Sequence, residues 1–388
     1  MNALSHSSKI TLIPPSIITL LLAIPVIAST ASTSTSSALT KGAEPIVEVK
    51  WRSIEDAVIE GRAWDELAEP YDRLPAKAEA IVRKPVWRLA QDSAGICARF
   101  ITNASTIHAR WELRSDSLEM HHMPATGVSG LDLYGRDATG AWRWVGVGKP
   151  NRLENEQRLA TGLDGQEREY MLYLPLYNGV HSVQIGLDGD ASFRAGAARS
   201  EARSKPIVFY GTSITQGGCA SRPGMVHTAI LGRRLNHPVV NLGFSGNGTM
   251  DLEFAPLLAE IDAAVYVIDC LPNMNAKQVS ERAAAFVRAL RAKRPRVPIL
   301  LVEDRSFDSA SFIAIHRNHH AASREALSAA HRQLLAEGVK DLRYLFGEGL
   351  LGSDGESTVD GSHPTDLGFM RLAAAFESTL RELLDNNK

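Results

Sequence analysis

Between residues 46 and 195 the chain carries short runs in which apolar and polar positions alternate or aromatic residues cluster. A period of two predicts β-strands, here at 86–89, 96–101, 107–113, 131–134, 142–147, 169–174 and 180–185. Turn-forming clusters such as GRDATGA and LDGDAS separate them. Short strands at this spacing predict a sandwich or barrel. From Pro206 onward the pattern changes: brief apolar runs at 207–210, 239–242, 264–269, 299–303 and 342–345 alternate with stretches of helical spacing. The helical stretches are 225–235, 276–294, 321–336 and 366–384. Strands alternating with helices predict a parallel sheet covered on both faces. The expected fold class is therefore α/β, a three-layer α/β/α domain over residues 203–388 preceded by an all-β, jelly-roll-like sandwich domain over residues 46–202.

The N-terminus follows a third pattern. Residues 10–28 (ITLIPPSIITLLLAIPVIA) are apolar, Lys9 precedes them, and the small residues Ala28-Ser29-Thr30-Ala31 follow. This arrangement predicts a signal peptide over 1–31 and a Ser/Thr-rich flexible leader over 32–45. Prolines at 14, 15 and 25 disfavour a lasting membrane helix, although an uncleaved anchor is the alternative. The expected location is outside the cytoplasm, periplasmic or extracellular, with no stable membrane span after removal of the signal. With 44% hydrophobic and 22% charged residues the remainder can bury a sizeable core. A formal net charge of -2 gives no sign of a nucleic-acid partner, which would ask for a basic face.

In open α/β sheets ligands collect beyond the carboxyl ends of the strands. After the first predicted strand of the α/β half comes Gly211-Thr212-Ser213-Ile214-Thr215-Gln216-Gly217, after the second Gly243-Phe244-Ser245-Gly246-Asn247-Gly248, and after the third Cys270-Leu271-Pro272-Asn273. A serine, glycines and an asparagine thus arise at one edge. Near the C-terminus stands Asp360-Gly361-Ser362-His363-Pro364. A carboxylate three residues before a histidine can hold its Nδ1 hydrogen and leave Nε2 to take a proton from serine. Pro364 suits the first turn of the last helix and Asp366 its positive end.

These blocks (GTSITQG, NLGFSG, LPNMN and DGSH) resemble, in order and spacing, the SGNH, or GDSL-type, hydrolase superfamily. MPATGVSGLDLYGRD resembles the Gly-x-Asp-Leu-Tyr motif of a β-sandwich that precedes certain bacterial esterases of that superfamily. The resemblance implies a serine esterase with Ser213 as nucleophile, His363 as general base and then acid, and Asp360 as its orienter. It implies an oxyanion hole made of the Ser213 and Gly243 backbone N–H groups and the Asn273 side chain, with no metal or organic cofactor. The implied substrate is a small-molecule or glycan ester carrying a short acyl group, acetyl foremost. A lipase or thioesterase of the same fold and a non-catalytic carbohydrate-binding protein are the alternatives. The Ser block reads Gly-Thr-Ser rather than Gly-Asp-Ser, and the Asn block Pro-Asn-Met rather than Gly-Asn-Asp, which bears on the subfamily. An α/β-hydrolase elbow is excluded because Gly217 stands four residues past the serine instead of two.

Three cysteines are present, so at least one is unpaired. Cys219 and Cys270 fall at the same sheet edge, where a disulfide would stiffen the loops; two buried thiols are the competing reading. His316, His319, His320 and His331 have helical spacing but no Cys or carboxylate set to complete a metal site. Glu303, Asp304 and Arg305 follow the fourth strand of the α/β half and suit either substrate contact or local ion pairs. His122 would line the cleft if the sandwich folded over it. Trp87, Trp111, Trp142 and Trp144 suit either a sugar-stacking surface or a sandwich core.

Overall fold

The structure, a computed structural model, describes residues 48–385. The expected signal peptide and leader lie outside the described residues. The apolar runs after Pro206 form a five-stranded parallel sheet: β1 (Ile207–Gly211), β2 (Val239–Gly243), β3 (Val265–Asp269), β4 (Ile299–Val302) and β5 (Leu342–Leu345), in the order β2-β1-β3-β4-β5. Its central strands are buried at every residue, which is why they read as continuous apolar runs. Ile207, Phe209, Val265 and Val267 face a layer containing α2 (His227–Leu235) and α5 (Asp366–Asp385), reached after the short α1 (Ser213–Gln216). Val208, Tyr210, Tyr266 and Ile268 face the opposite layer with α3 (Ala276–Lys293) and α4 (Ala314–Ala336). The three-layer α/β/α architecture is thus the one expected.

The strand order reverses direction at β1, the switch point at which such sheets bind ligands. Register fixes the geometry there, because Gly211 at the end of β1 pairs with Gly243 of β2 and with Asp269 of β3. All three chains leave the sheet at one level.

Two antiparallel sheets precede this unit. One has Val49–Ser53, Val180–Asp188, Thr106–Leu113 and Glu154–Thr161 in spatial order, and the other Arg194–Ala195, Cys97–Thr102, Arg168–Tyr173, Asp132–Arg136 and Trp142–Val147. Phe100, Trp111, Leu133, Leu172 and Ile185 fill the space between them. Trp111 is therefore core, while Trp144 is half exposed with its Nε1–H donating to Asp132 Oδ1 at 3.0 Å.

The expected strand at 86–89 is instead a helix, Lys84–Ala90. Pro85 sits in its first turn, where the missing N–H costs nothing. Val82, Val86 and Ala90 are buried at intervals of four, a helical rather than a strand period. With Leu74 and Ala78 they pack against Val240 and Leu242 of β2, so this segment covers the parallel sheet rather than joining the sandwich. The sandwich residues Met123, Tyr134, Met171 and Tyr173 share a core with α2, and the described residues form one compact unit. Among the described residues no helix is long and apolar enough to cross a membrane.

Arg73 ties the covering segment to the site edge. Its side chain is 1% exposed and donates to the carbonyls of Asp92 at 2.8 Å, Asn241 at 3.1 Å, Gly243 at 2.7 Å and Leu89. Burial lowers its pKa to about 10, which leaves it a cation at neutral pH. Replacing a buried, fully bonded charge by an apolar side chain leaves four carbonyl acceptors without that donor. Arg73→Met is expected to lower the free energy of unfolding by about 3–5 kcal/mol in urea titrations, and an unchanged midpoint would show that the clamp contributes little.

Candidate active site

Ser213 opens α1 directly after β1. Thr212 caps that helix, its hydroxyl accepting from Ile214 N–H at 3.3 Å. Three donors converge on the Ser213 carbonyl: Gly217 N–H at 2.9 Å, Gly218 N–H at 2.8 Å and the Tyr177 hydroxyl at 3.1 Å. Farther along α1, the Thr215 hydroxyl donates to Asp269 Oδ2 at 3.2 Å, and Arg305 grips the same carboxylate in a bidentate pair of 2.6 and 2.7 Å. The serine is therefore held from both ends of its helix.

The Asp360–His363 loop closes on it. Val359 N–H donates to the His363 carbonyl at 2.8 Å, and an isolated bridge joins Thr358 to Pro364, which precedes α5 instead of lying in its first turn. Asp360 Oδ1 accepts from the N–H groups of Ser362 at 3.0 Å and His363 at 2.8 Å, so the carboxylate organises its own turn. Its other oxygen accepts from His363 Nδ1–H at 2.8 Å. That contact sets the tautomer in which Nε2 is the acceptor, and Nε2 lies 2.9 Å from Ser213 Oγ. Partial burial works to raise the Asp360 carboxyl, but the His363 backbone and ring and the Ser362 backbone outweigh it and hold it below its ordinary value. The result is a relay able to activate a hydroxyl for attack on an electrophilic carbon.

Of the three expected oxyanion donors, the structure overturns one. Gly243 N–H is already committed to Asn241 Oδ1 at 2.9 Å, and Gly243 is buried where an added Cβ would stand 2.1 Å from Gln216 N. It is a close-packing glycine rather than a donor to ligand. Three residues on, Gly246 is exposed at φ +67°, and among the described residues its N–H has no partner. The side-chain oxygen of Asn273, in the orientation that satisfies its neighbours, accepts from Asn247 N–H at 3.0 Å and Gly248 N–H at 3.3 Å. Its NH2 is thereby left to donate elsewhere, and the 244–248 loop is fastened beside it. The free donors at this edge are Ser213 N–H, Gly246 N–H and the Asn273 amide.

The expected Cys219–Cys270 disulfide is absent: both are free and buried. Cys270 points its thiol to the Tyr210 carbonyl at 3.5 Å, beneath the sheet edge, whereas Cys219 lies beside His363. The other candidates resolve into structural pairs. Arg305 serves Asp269, Asp304 holds His320 Nδ1 at 2.8 Å, and Glu303 accepts from Gly347 N–H at 2.7 Å and the Tyr344 hydroxyl at 2.8 Å. His122 does line the cleft, its ring centroid 5.9 Å from that of His363.

The Gly-x-Asp-Leu-Tyr stretch reaches the same place. Asp132 is fully buried and accepts from Arg222 Nη1 and Gly224 N–H, each at 2.8 Å. The Thr126 hydroxyl donates to the Ser221 carbonyl at 2.6 Å, and Asp366 Oδ1 accepts from Ser221 N–H at 2.9 Å. The loop after α1 is thus bound to the sandwich on one side and to the start of α5, just past His363, on the other. Asp132 belongs to the Gly-x-Asp-Leu-Tyr motif, whereas Tyr177 and Thr126 owe their roles to tertiary placement that no local pattern announces.

Two family models match the chain: the GDSL-like lipase/acylhydrolase family over residues 204–381, and the N-terminal domain of SGNH-type esterases, named for its GxDLY motif, over residues 49–193. No curated protein matches by sequence. Among solved structures, a protein assigned as a GDSL-like lipase from Bacteroides ovatus superposes with a TM-score of 0.82 at 34% identity, over 87% of this chain and 98% of that one. A salicylyl-acyltransferase from a tetracycline biosynthetic pathway superposes at 0.69 with 17% identity, over 86% and 97% of the two chains. A family two carbohydrate esterase from Cellvibrio japonicus does so at 0.56 with 14% identity, over 88% and 99%. The latter two share the fold.

Two substitutions probe this geometry. Gly243→Ala is expected to lower stability by about 3 kcal/mol, at the upper end of overpacking, because backbone must yield to the new methyl; a wild-type thermal midpoint would refute the close packing. Asp360 has a folded value below its unfolded one, so its stabilisation is present above the ordinary carboxylate range and lost as pH falls through the folded value. Asp360→Asn should therefore flatten the loss of stability below about pH 4 in acid titrations followed by circular dichroism.

Proposed function

The chain belongs to the GDSL-like lipase/acylhydrolase family of SGNH-type esterases, and from that premise we propose that it removes short acyl groups, acetyl foremost, from carbohydrate esters through an acyl-enzyme on Ser213. The observation that carries this reading is the continuous relay Ser213 Oγ–His363 Nε2 at 2.9 Å and His363 Nδ1–Asp360 Oδ2 at 2.8 Å, set at the switch point of the sheet. Ser213 attacks the ester carbonyl while His363 takes its proton, and the imidazolium, steadied by Asp360, returns that proton to the departing alcohol. Water then enters with His363 again as base and releases the acid. The oxyanion is received by Ser213 N–H, Gly246 N–H and the Asn273 amide. No step in this sequence calls on a cofactor.

The short acyl preference is supported by the residues that border the His363 ring: His122, Gly218 and Cys219 are small or polar, where a long acyl chain would ask for an apolar wall. The carbohydrate alcohol is supported by the fold shared with the family two carbohydrate esterase. Export, inferred from residues 1–31, would place the enzyme where polymeric glycans are met.

The decisive measurement is acetate release from a panel of acetylated glycans run beside nitrophenyl esters of increasing chain length. Turnover that falls from acetate to longer acyl groups supports the reading, and a rise with length would replace it with a lipase or thioesterase. Ser213→Ala should abolish turnover, Asp360→Asn should cut kcat by about 10²–10⁴-fold, and Asn273→Ala should cut it by about 10²–10³-fold with little change in KM. Full activity in Ser213→Ala would end the serine mechanism.

A further inference from the structure

We propose that His122, Cys219 and His363 form a binding site for a zinc-type divalent cation that, when occupied, shuts off the esterase. The inference rests on the reading of His363 as the base. One ligand atom from each of the three residues lies within 4.8 Å of the others, and no other such group of His, Cys, Asp and Glu occurs among the described residues. They come from three separate segments: the sandwich, the loop after α1 and the loop before α5. Two imidazoles and a thiolate are a donor set suited to zinc, and three protein ligands leave a fourth position open.

The required movement is small. With zinc–nitrogen and zinc–sulfur bonds of about 2.0 and 2.3 Å, tetrahedral ligand atoms stand about 3.3–3.6 Å apart. His122 is exposed and can move toward the other two, and the Ser213 hydroxyl, 2.9 Å from Nε2, must turn aside for the ion to reach that nitrogen. His363 has the outer partner that metal-binding histidines usually have, since Asp360 accepts from its Nδ1–H and leaves Nε2, which now lies 2.9 Å from Ser213 Oγ, as the ligand atom. Cys219 is held at φ +74°, in the left-handed region that a non-glycine residue rarely adopts. Such local strain concentrates at functional sites.

Burial first, and then the Asp360 charge, push the Cys219 thiol up to about 12, so without a cation it is a protonated thiol and no rival nucleophile to Ser213. Binding forms sulfur–metal and nitrogen–metal bonds, releases the thiol proton to solvent and changes no oxidation state. It also occupies the Nε2 lone pair that would accept the Ser213 proton. The ion is therefore an off-switch and not a participant in hydrolysis.

The test is to titrate the chelator-treated full chain with buffered zinc chloride while following nitrophenyl acetate hydrolysis, and to record the absorption of the cobalt-loaded protein. Zinc should lower wild-type activity more than tenfold, with recovery on adding EDTA. Cobalt should give a thiolate charge-transfer band. Cys219→Ser should lose that band, and both Cys219→Ser and His122→Ala should need at least tenfold more zinc for half-inhibition, each judged against its own zinc-free rate. His122 is a surface side chain, so that variant stays informative if Cys219→Ser fails to fold. Equal inhibition of the variants, no inhibition of the wild type, or a cobalt spectrum without the thiolate band would overturn the proposal. The spectrum of Ser213→Ala separates the two readings, because the cobalt band is expected there whether or not Ser213 is the nucleophile.

Discussion

The pairing register of three parallel strands is the constraint on which everything else depends. Gly211 stands opposite Gly243 on one side and Asp269 on the other, so the loops bearing Ser213, Gly246 and Asn273 begin at one height. A slip of one residue would turn every side chain of a strand to the other layer. That is forbidden here, because both faces of β1 are packed against helices. The polar locks at the edge act on this prior alignment. Thr215 and Arg305 meet on Asp269, Arg73 gathers the carbonyls of Asn241 and Gly243, and Asn241 reaches back to Gly243 N–H.

The β-sandwich takes part in the site. Asp132 spends both oxygens on neighbours, and its contacts to Arg222 and Gly224 hold the loop that follows the serine helix. Asp366 ties the same loop to the start of α5, next to the histidine. The relation between nucleophile and base is therefore relayed through a segment that the sandwich steadies. His122 extends the sandwich over the edge itself.

Much of this is legible in the chain. The doubly covered sheet announces itself as all-apolar runs, and the Ser213 and Asp360-x-x-His363 blocks carry enough local chemistry to be placed without coordinates. The misreadings have physical causes. In Gly243-Phe244-Ser245-Gly246 one glycine ends the strand and the other lies in the loop beyond it, and the Asn241 side chain takes the N–H of the first. Four residues around Trp87 are too short to distinguish periods of two and four, a choice settled by Val82 and Ala90 on either side. Shared proximity to a sheet edge put Cys219 and Cys270 together, yet one sulfur turns under the sheet and the other toward the histidine, and bridging demands a narrow geometry.

The covering segment around Arg73 has a consequence for how such proteins can diverge. Leu74, Val82 and Val86 come from the N-terminal half but serve as wall for the parallel sheet, and Met171 and Tyr173 of the sandwich lean on α2. The halves differ in topology yet share one hydrophobic interior, so neither is an interchangeable cassette. Recombination that exchanged the sandwich would strip apolar surface from the catalytic half, so the two should be inherited as a pair and melt in a single transition.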